Sequence, residues 1–164
     1  MARVVRSDDV APQPWANGGG TTRELLVADD GAWRVSLADV AGEGPFSTFP
    51  GRRRLLTVVE GTVLELLVGE VSHVVEPQRP FAFSGDDAVV ARLPEGPVRA
   101  LNVVADAGVS PHVTVLELGR GSTLPLADDQ AAYVLTGPDA RSLVVGPGEV
   151  AGRCTVAVVT LDRG

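Results

Sequence analysis

No apolar run in this chain goes far before a glycine, proline or aspartate cuts it. The Val- and Leu-rich stretches are short, and none repeats at i, i+3, i+4 and i+7 as an amphipathic helix would. Runs of that length bounded by turn residues read as strands. Candidates are Arg3–Arg6, Arg23–Ala28, Trp33–Ala38, Leu55–Glu60, Thr62–Val68, Ser72–Val75, Phe81–Phe83, Ala88–Leu93, Val98–Val104, Val113–Leu118, Ala131–Leu135, Ser142–Val145 and Val156–Leu161. That many short strands at close spacing predict an all-β protein, a sandwich or a barrel.

The strand pattern repeats. Thr57-Val58-Val59-Glu60-Gly61 matches Tyr133-Val134-Leu135-Thr136-Gly137, Ser47–Pro50 matches Ser122–Pro125, and Leu66–Gly69 matches Leu143–Gly146. The expectation is a duplicated β-unit, neither half large enough to bury its sheet alone. Asp, Gly, Ser and Pro cluster at Ala105–Pro111, which places the boundary there. The predicted domains are residues 1–105, carrying the function, and residues 106–164, smaller and structural. Each copy runs strand, Gly turn, strand, Gly turn, then a Pro/Gly segment, a form that resembles the cupin repeat.

Several function classes are disfavoured. Net charge is −7, every one of the fourteen basic residues is Arg, and Arg52–Arg54 is the one basic run. A nucleic-acid partner would want a basic face, so none is expected. No apolar run approaches the ~20 residues of a membrane-spanning helix, and the N-terminus becomes charged too soon for a secretory leader. The single cysteine, Cys154, has no internal partner, which fits a reducing cytoplasm. His73 and His112 stand far apart with no ligand at metal spacing, so neither a metal nor another cofactor is expected. No nucleophile-elbow sequence is present.

What remains is binding chemistry, concentrated in the first third of the chain. Trp15-Ala16-Asn17-Gly18-Gly19-Gly20-Thr21-Thr22-Arg23-Glu24 supplies an aromatic wall, an amide, backbone N–H groups, hydroxyls and a guanidinium. Ser36, Gly44–Gly51 and Arg52–Arg54 add more of the same. Arginine forks suit carboxylates, and glycine N–H groups can cradle an anion. Each piece has a plainer reading: Gly18–Gly20 as a tight turn, Arg23–Glu24 as a surface pair, Arg52–Arg54 as a solvated turn. Their clustering favours one small-molecule site between Trp and Phe walls.

Here a resemblance becomes specific. Trp15-X-Asn17-Gly18-Gly19-Gly20-X-Thr22-Arg23-Glu24, Trp33-Arg34-Val35-Ser36, Gly44-Pro45-Phe46-Ser47-X-Phe49-Pro50-Gly51, Arg54, Phe83–Asp86 and Leu101-Asn102-Val103 together resemble the HutD/Ves family of the cupin superfamily. Arg53 and Ala100 depart from its pattern, standing where acidic residues are usual. The resemblance implies a bicupin, two RmlC-like jelly-roll β-barrels in one chain with the second smaller. It implies a non-catalytic regulator or sensor linked to histidine utilisation, binding a small carboxylate such as urocanate or formylglutamate. On the matched positions the ligand-binding set is Trp15, Asn17, Gly18, Gly19, Gly20, Thr22, Arg23, Ser36, Ser47, Arg54 and Asn102, with Arg54 as the carboxylate clamp. The alternatives are a metal-free isomerase or epimerase, with Glu24, Glu60 or a histidine as acid–base group, and a structural interaction protein for which a homodimer is one assembly.

Overall fold

A computed structural model describes residues 3–163. Met1 and Ala2, at the start of the expected first domain, and Gly164, at the end of the second, lie outside the described residues. The described residues are all-β, with seventeen strands and one 3-10 turn, Ser7–Asp9. It divides into two compact units, one formed by Pro12–Val109, the other by the N-terminal residues up to Ala11 together with the chain from Ser110 onward. The strand β1 (Arg3–Arg6) explains the split in the second unit. It pairs antiparallel with β15 (Ser142–Val145), Arg3 opposite Val145. Residues 3–11, expected with the first domain, therefore belong by hydrogen bonding with the second.

The 12–109 unit holds β2 (Gln13–Pro14), β3 (Gly20–Val27), β4 (Trp33–Val40), β5 (Gly44–Pro45), β6 (Arg52–Glu60), β7 (Leu64–Val68), β8 (Val71–Val75), β9 (Phe81–Ser84), β10 (Val89–Arg92) and β11 (Val98–Asp106). They form a six-stranded sheet, β2-β3-β4-β11-β6-β9, and a four-stranded sheet, β5-β10-β7-β8. One core lies between them: Ala38, Leu56, Val58 and Ala100 of the larger sheet pack with Leu64, Leu66, Val75, Val89 and Ala91 of the smaller. Truncating a leucine such as Leu56 or Leu64 here would cost about 2–5 kcal/mol. Neither sheet closes on itself, so the expected closed barrel is not formed. The edges carry the reason: β2 and β5 are two-residue strands containing Pro14 and Pro45, and proline lacks the N–H that a further ladder bond needs.

The second unit adds β12 (Ser110–Leu118), β13 (Thr123–Leu126), β14 (Gln130–Thr136), β16 (Gly148–Ala151) and β17 (Cys154–Asp162). Its sheets are β1-β15-β14-β17-β12 and β13-β16, packed over Ala132, Val134, Val144, Val156 and Val158. The covering sheet has two strands where the first unit has four, the physical content of its smaller size.

The repeat is real in its turns but only partly in its predicted register. Gly61 and Gly137 both have positive φ, +94° and +111°, and a Cβ on either would meet the start of the laterally paired strand, at Val98 of β11 or Cys154 of β17. That match holds. The other two do not. Gly146 corresponds to Gly85, not Gly69: a Cβ on Gly85 would strike the carbonyl oxygens of Phe49 and Arg52, and one on Gly146 those of Ala127 and Gln130. Gly85 N–H donates to Arg52 O at 2.7 Å and Gly146 N–H to Gln130 O at 2.8 Å.

Candidate functional site

Antiparallel register assembles the site. In β3, β4, β11 and β6 the even-numbered residues share a face. One row reads Glu24, Ser36, Asn102, Leu56. The next reads Arg34, Val104, Arg54, Phe83. A third carries Thr22, Ala38, Ala100. From these rows Glu24, Ser36, Asn102, Arg34, Val104, Arg54, Thr22 and Ala38 floor a cavity of about 500 Å³, walled by Trp15, Phe46 and Phe49 and rimmed by Gln13, Asn17 and Ser47. Of the predicted residues, Trp15, Asn17, Thr22, Ser36, Ser47, Arg54 and Asn102 line it; Gly18, Gly19, Gly20 and Arg23 do not.

The glycines shape the wall instead. Gly18 takes φ +73° and its N–H donates to Trp15 O at 3.0 Å. Gly19 N–H donates to Asn17 Oδ1 at 2.8 Å. Both donors are used inside the turn, so the expected anion nest is not offered. Gly20 has no room for a Cβ, which would meet Asp39 O and, at 3.1 Å, the Trp15 ring. The close approach seats the indole over β3, where Nε1 donates to Thr22 Oγ1 at 2.7 Å. Phe46 meets it edge-on, with ring centroids 5.7 Å apart. Asn17 ties the turn to the opposite rim, its Nδ2 donating to Pro45 O at 3.0 Å. Arg23 points elsewhere and pairs with Asp39 at 2.8 Å; Asp39 also holds Arg99 at 2.6 Å, which reaches Glu60 at 3.2 Å.

Arg54 is the electrostatic centre. It is 7% exposed. Its guanidinium carbon lies 4.8 Å from the Phe83 ring centroid, 4.9 Å from Phe49 and 5.6 Å from Phe46. Nη1 donates to the Ser47 carbonyl at 3.2 Å, while Nε is buried with no partner. Among the described residues no carboxylate lies within ion-pair reach of it. Burial, and then the Arg34 charge, push its pKa down to about 10. A desolvated, unpaired guanidinium in a ring cage is set up for an incoming anion. Arg52, expected in solvent, instead pairs with Asp106 at 3.2 Å and donates to Gly31 O.

The lining residues outside the expected ligand-binding set include two long polar side chains, Arg34 and Gln13. Arg34 sits 5.0 Å over Phe49 and pairs loosely with Glu24 at 3.5 Å; Gln13 lies on the rim. The signal was there for Arg34: it is two residues before Ser36 on one strand, hence on the same face. The Phe83–Asp86 motif also gains a reason. Gly85 accommodates Phe49 O, Phe49 N–H donates to Gly85 O at 2.8 Å and Asp86 Oδ1 accepts from Gly51 N–H at 3.0 Å. The motif anchors the loop that carries Phe49. Ala100, at the departure from the family pattern, is fully buried in the core.

Other candidates lie elsewhere. A larger open cleft of about 1050 Å³ in the second unit is lined by Val134, Val144, Val150 and Cys154 and by none of the predicted site residues. Burial, with the Asp139 charge, pushes the Cys154 thiol up, away from a nucleophilic thiolate. His73 lies against Phe81, ring centroids 4.9 Å apart. Among the described residues no three His, Cys, Asp or Glu side chains gather as a metal site, and no helix is long and apolar enough to cross a membrane.

Comparison with known proteins places this arrangement. The HutD family model matches residues 7–150. An uncharacterised 21.2 kDa protein from the hutC 3′ region of Pseudomonas putida is 39% identical over 109 residues, 62% of this chain and 57% of that protein. Protein Ves of Citrobacter koseri is 42% identical over 87 residues, 50% of this chain and 46% of its own. The chain thus spans about half the length of these curated relatives. The structure of HutD from Pseudomonas fluorescens SBW25 superposes with a TM-score of 0.76 at 29% identity, covering 99% of this chain and 100% of that one. Protein Ylba of Escherichia coli shares the cupin-like β fold at 7% identity, with a TM-score of 0.75 over 98% of this chain and 90% of its own. On the extent of the family match, this chain belongs to the HutD family.

Proposed function

We propose that this chain is a metabolite-binding bicupin, two cupin-type units in tandem, in which the 12–109 cavity holds a small carboxylate. Urocanate and formylglutamate are the leading candidates, and the role is that of a regulator or sensor tied to histidine utilisation. The observation that carries the reading is Arg54: a buried guanidinium with an unpartnered Nε and no carboxylate of its own. Keeping a charge so placed costs stability unless a ligand pairs with it. The hutC-region relative and the repeated turns at Gly61/Gly137 and Gly85/Gly146 support the pathway and the tandem arrangement. The enzyme alternative has one acid–base candidate on the cavity wall, Glu24, already paired with Arg34.

Calorimetric titration with a panel of small acids and their amides tests this. Removing one partner of a buried charge pair costs about 2–5 kcal/mol, so Arg54→Ala should weaken acid binding at least ~30-fold. Arg52→Ala, outside the cavity, should change it by under ~1 kcal/mol. Equal losses in the two variants, or amides binding as well as acids, refute the clamp.

A further inference from the structure

The second unit lacks a piece that the first has, and its cleft stands where that piece would be. In the first unit the chain between β6 and β9 forms the hairpin β7–β8, and β7 pairs with β10 on the side away from β5. Leu64 and Leu66 of β7 are fully buried in the core. In the second unit residues 137–141 alone join β14 to β15. The glycine contacts align the two units. Gly85 packs against Phe49 O and Gly146 against Ala127 O, which makes Phe46 the counterpart of Leu124. Phe46 N–H donates to Val89 O at 2.9 Å, and Leu124 stands opposite Val150. β16 is therefore the counterpart of β10, and Ala151 and Arg153 are those of Val90 and Arg92. Among the described strands β16 pairs with β13 and no other. All of β16 lines the cleft and nothing of β13 does, so the cleft runs along the open side of β16.

That side offers both halves of a strand-binding site. Gly152 N–H donates to Ser122 O at 2.9 Å, and bonding alternates along an antiparallel ladder. The N–H and C=O groups of Glu149 and Ala151 therefore point away from β13. In the first unit the matching edge is used: Ala88, the counterpart of Glu149, accepts at its carbonyl from Gly69 N–H at 2.9 Å. Proline blunts such edges, as in β5 and β13, but β16 has none. Below the edge the floor is apolar, with Val134, Val144 and Cys154 buried and Val4 49% exposed. A small apolar molecule would cover the floor and leave the backbone row unpaired, whereas an extended chain satisfies both. Charge adds direction. Arg92 on β10 pairs with Glu65 on β7 at 3.7 Å. Among the described residues Arg153 has no such ion pair, and Glu149 lines the cleft nearer the start of β16.

We propose that the cleft takes an extended segment of another protein, added antiparallel to β16 as β7 is to β10. Its residues are apolar at alternate positions, acidic opposite Arg153 and basic opposite Glu149. The surface belongs to the second unit, so the proposal goes beyond the metabolite reading of the first and stands or falls without it.

The probe is a capped, fluorescein-labelled peptide copying Gly61–Gly69 with Gly69→Lys, which puts Glu65 and the lysine at those two positions. It is titrated by anisotropy against the full chain. Cys154, the only cysteine, lines the cleft and reports the place. Peptide at ~10 times its Kd should slow alkylation of Cys154 by iodoacetamide about 10-fold, in step with the fraction of empty cleft. Methylating the backbone nitrogens of positions 65 and 67, which face β10 in the chain, should weaken binding at least ~10-fold, because strand carbonyls then lose their donors. Glu65→Lys in the peptide should weaken binding at least ~3-fold, and Arg153→Glu in the protein should reverse the order of the two peptides. Equal binding of the methylated peptide marks a site for any apolar molecule and overturns the proposal. Binding without protection of Cys154 overturns it, as does no binding at all. Self-association of the chain that Arg153→Glu abolishes, measured by sedimentation, makes a second copy the occupant and overturns it too. The peptide comparisons need only wild-type protein, so they decide the matter even if Arg153→Glu folds poorly.

Discussion

Replacing Arg54 with methionine separates two accounts of that residue by the sign of the effect. If the guanidinium is a structural cation that braces the fold, its loss destabilises. If it is held for a ligand, at a cost to the fold, its loss stabilises. The structure argues for the second. Burial lowers the Arg54 pKa from the ordinary arginine range to about 10. At about 1.4 kcal/mol per pH unit, that corresponds to about 3 kcal/mol held against folding at neutral pH. The ring faces of Phe46, Phe49 and Phe83 return part of it, about 0.5–1 kcal/mol each. Methionine keeps most of the stem and its sulfur gains about 0.3–1.5 kcal/mol against the same rings. The balance is a stabilisation of about 1–2 kcal/mol, a few degrees in Tm for a chain of this size.

Urea and thermal unfolding of both proteins, with and without a saturating acid, measure it. At 100 times the wild-type Kd the ligand should add about 2.7 kcal/mol to wild type and under ~1 kcal/mol to Arg54→Met, whose affinity is at least ~30-fold weaker. The pH dependence has a defined sign. Because the folded pKa lies below the unfolded one, the unfolded state binds more protons from about pH 10 up to the ordinary arginine range. Wild-type stability therefore gains on the variant as pH rises through that window. The variant's advantage is fully present below about pH 10. A loss of more than ~2 kcal/mol in Arg54→Met at pH 7 refutes the reasoning, since losses of that size follow from breaking a paired buried charge.

Gly85→Ala should act on the site from outside it. The new methyl group meets the Phe49 and Arg52 carbonyl oxygens, so the loop carrying Phe49 must move; we expect at least ~2 kcal/mol lost in urea unfolding and a ~10-fold weaker titration of the acid. Unchanged affinity would show that the loop is not part of the binding wall. Elemental analysis of untagged protein should find under ~0.1 equivalent of Fe, Mn, Ni or Zn per chain, given how few metal-binding side chains the cavity offers. About one equivalent bound at the cavity would refute a metal-free site.

All thirteen strands expected from the apolar runs are strands in the structure. The four that were missed, Gln13–Pro14, Gly44–Pro45, Thr123–Leu126 and Gly148–Ala151, each contain proline or glycine. Those residues are read as punctuation, and here they form edges and short two-stranded covers, where a missing N–H or side chain is tolerated. The repeat was misaligned for a related reason. Short apolar strings ending in glycine match one another at several offsets, and only the carbonyls packed against Gly85 and Gly146 identify the true counterparts.

The residue types alone determined that this chain would be all-β. Its apolar runs are too short and too often broken for helices, and no tertiary context is needed to see that. They also determined which polar side chains were available to a ligand and that the familiar metal set was not among them. Which of those side chains act together was decided by the fold. Arg23 and Arg54 have the same functional group, yet an odd position on β3 sends Arg23 to Asp39, while an even position on β6 turns Arg54 into the ring cage. Ser36, Asn102 and Arg54 are far apart in sequence, and antiparallel register sets Ser36 opposite Asn102 and Asn102 diagonal to Arg54. Register is a property of strand pairing, so a single strand's sequence carries the side chain's identity and parity but not its neighbours.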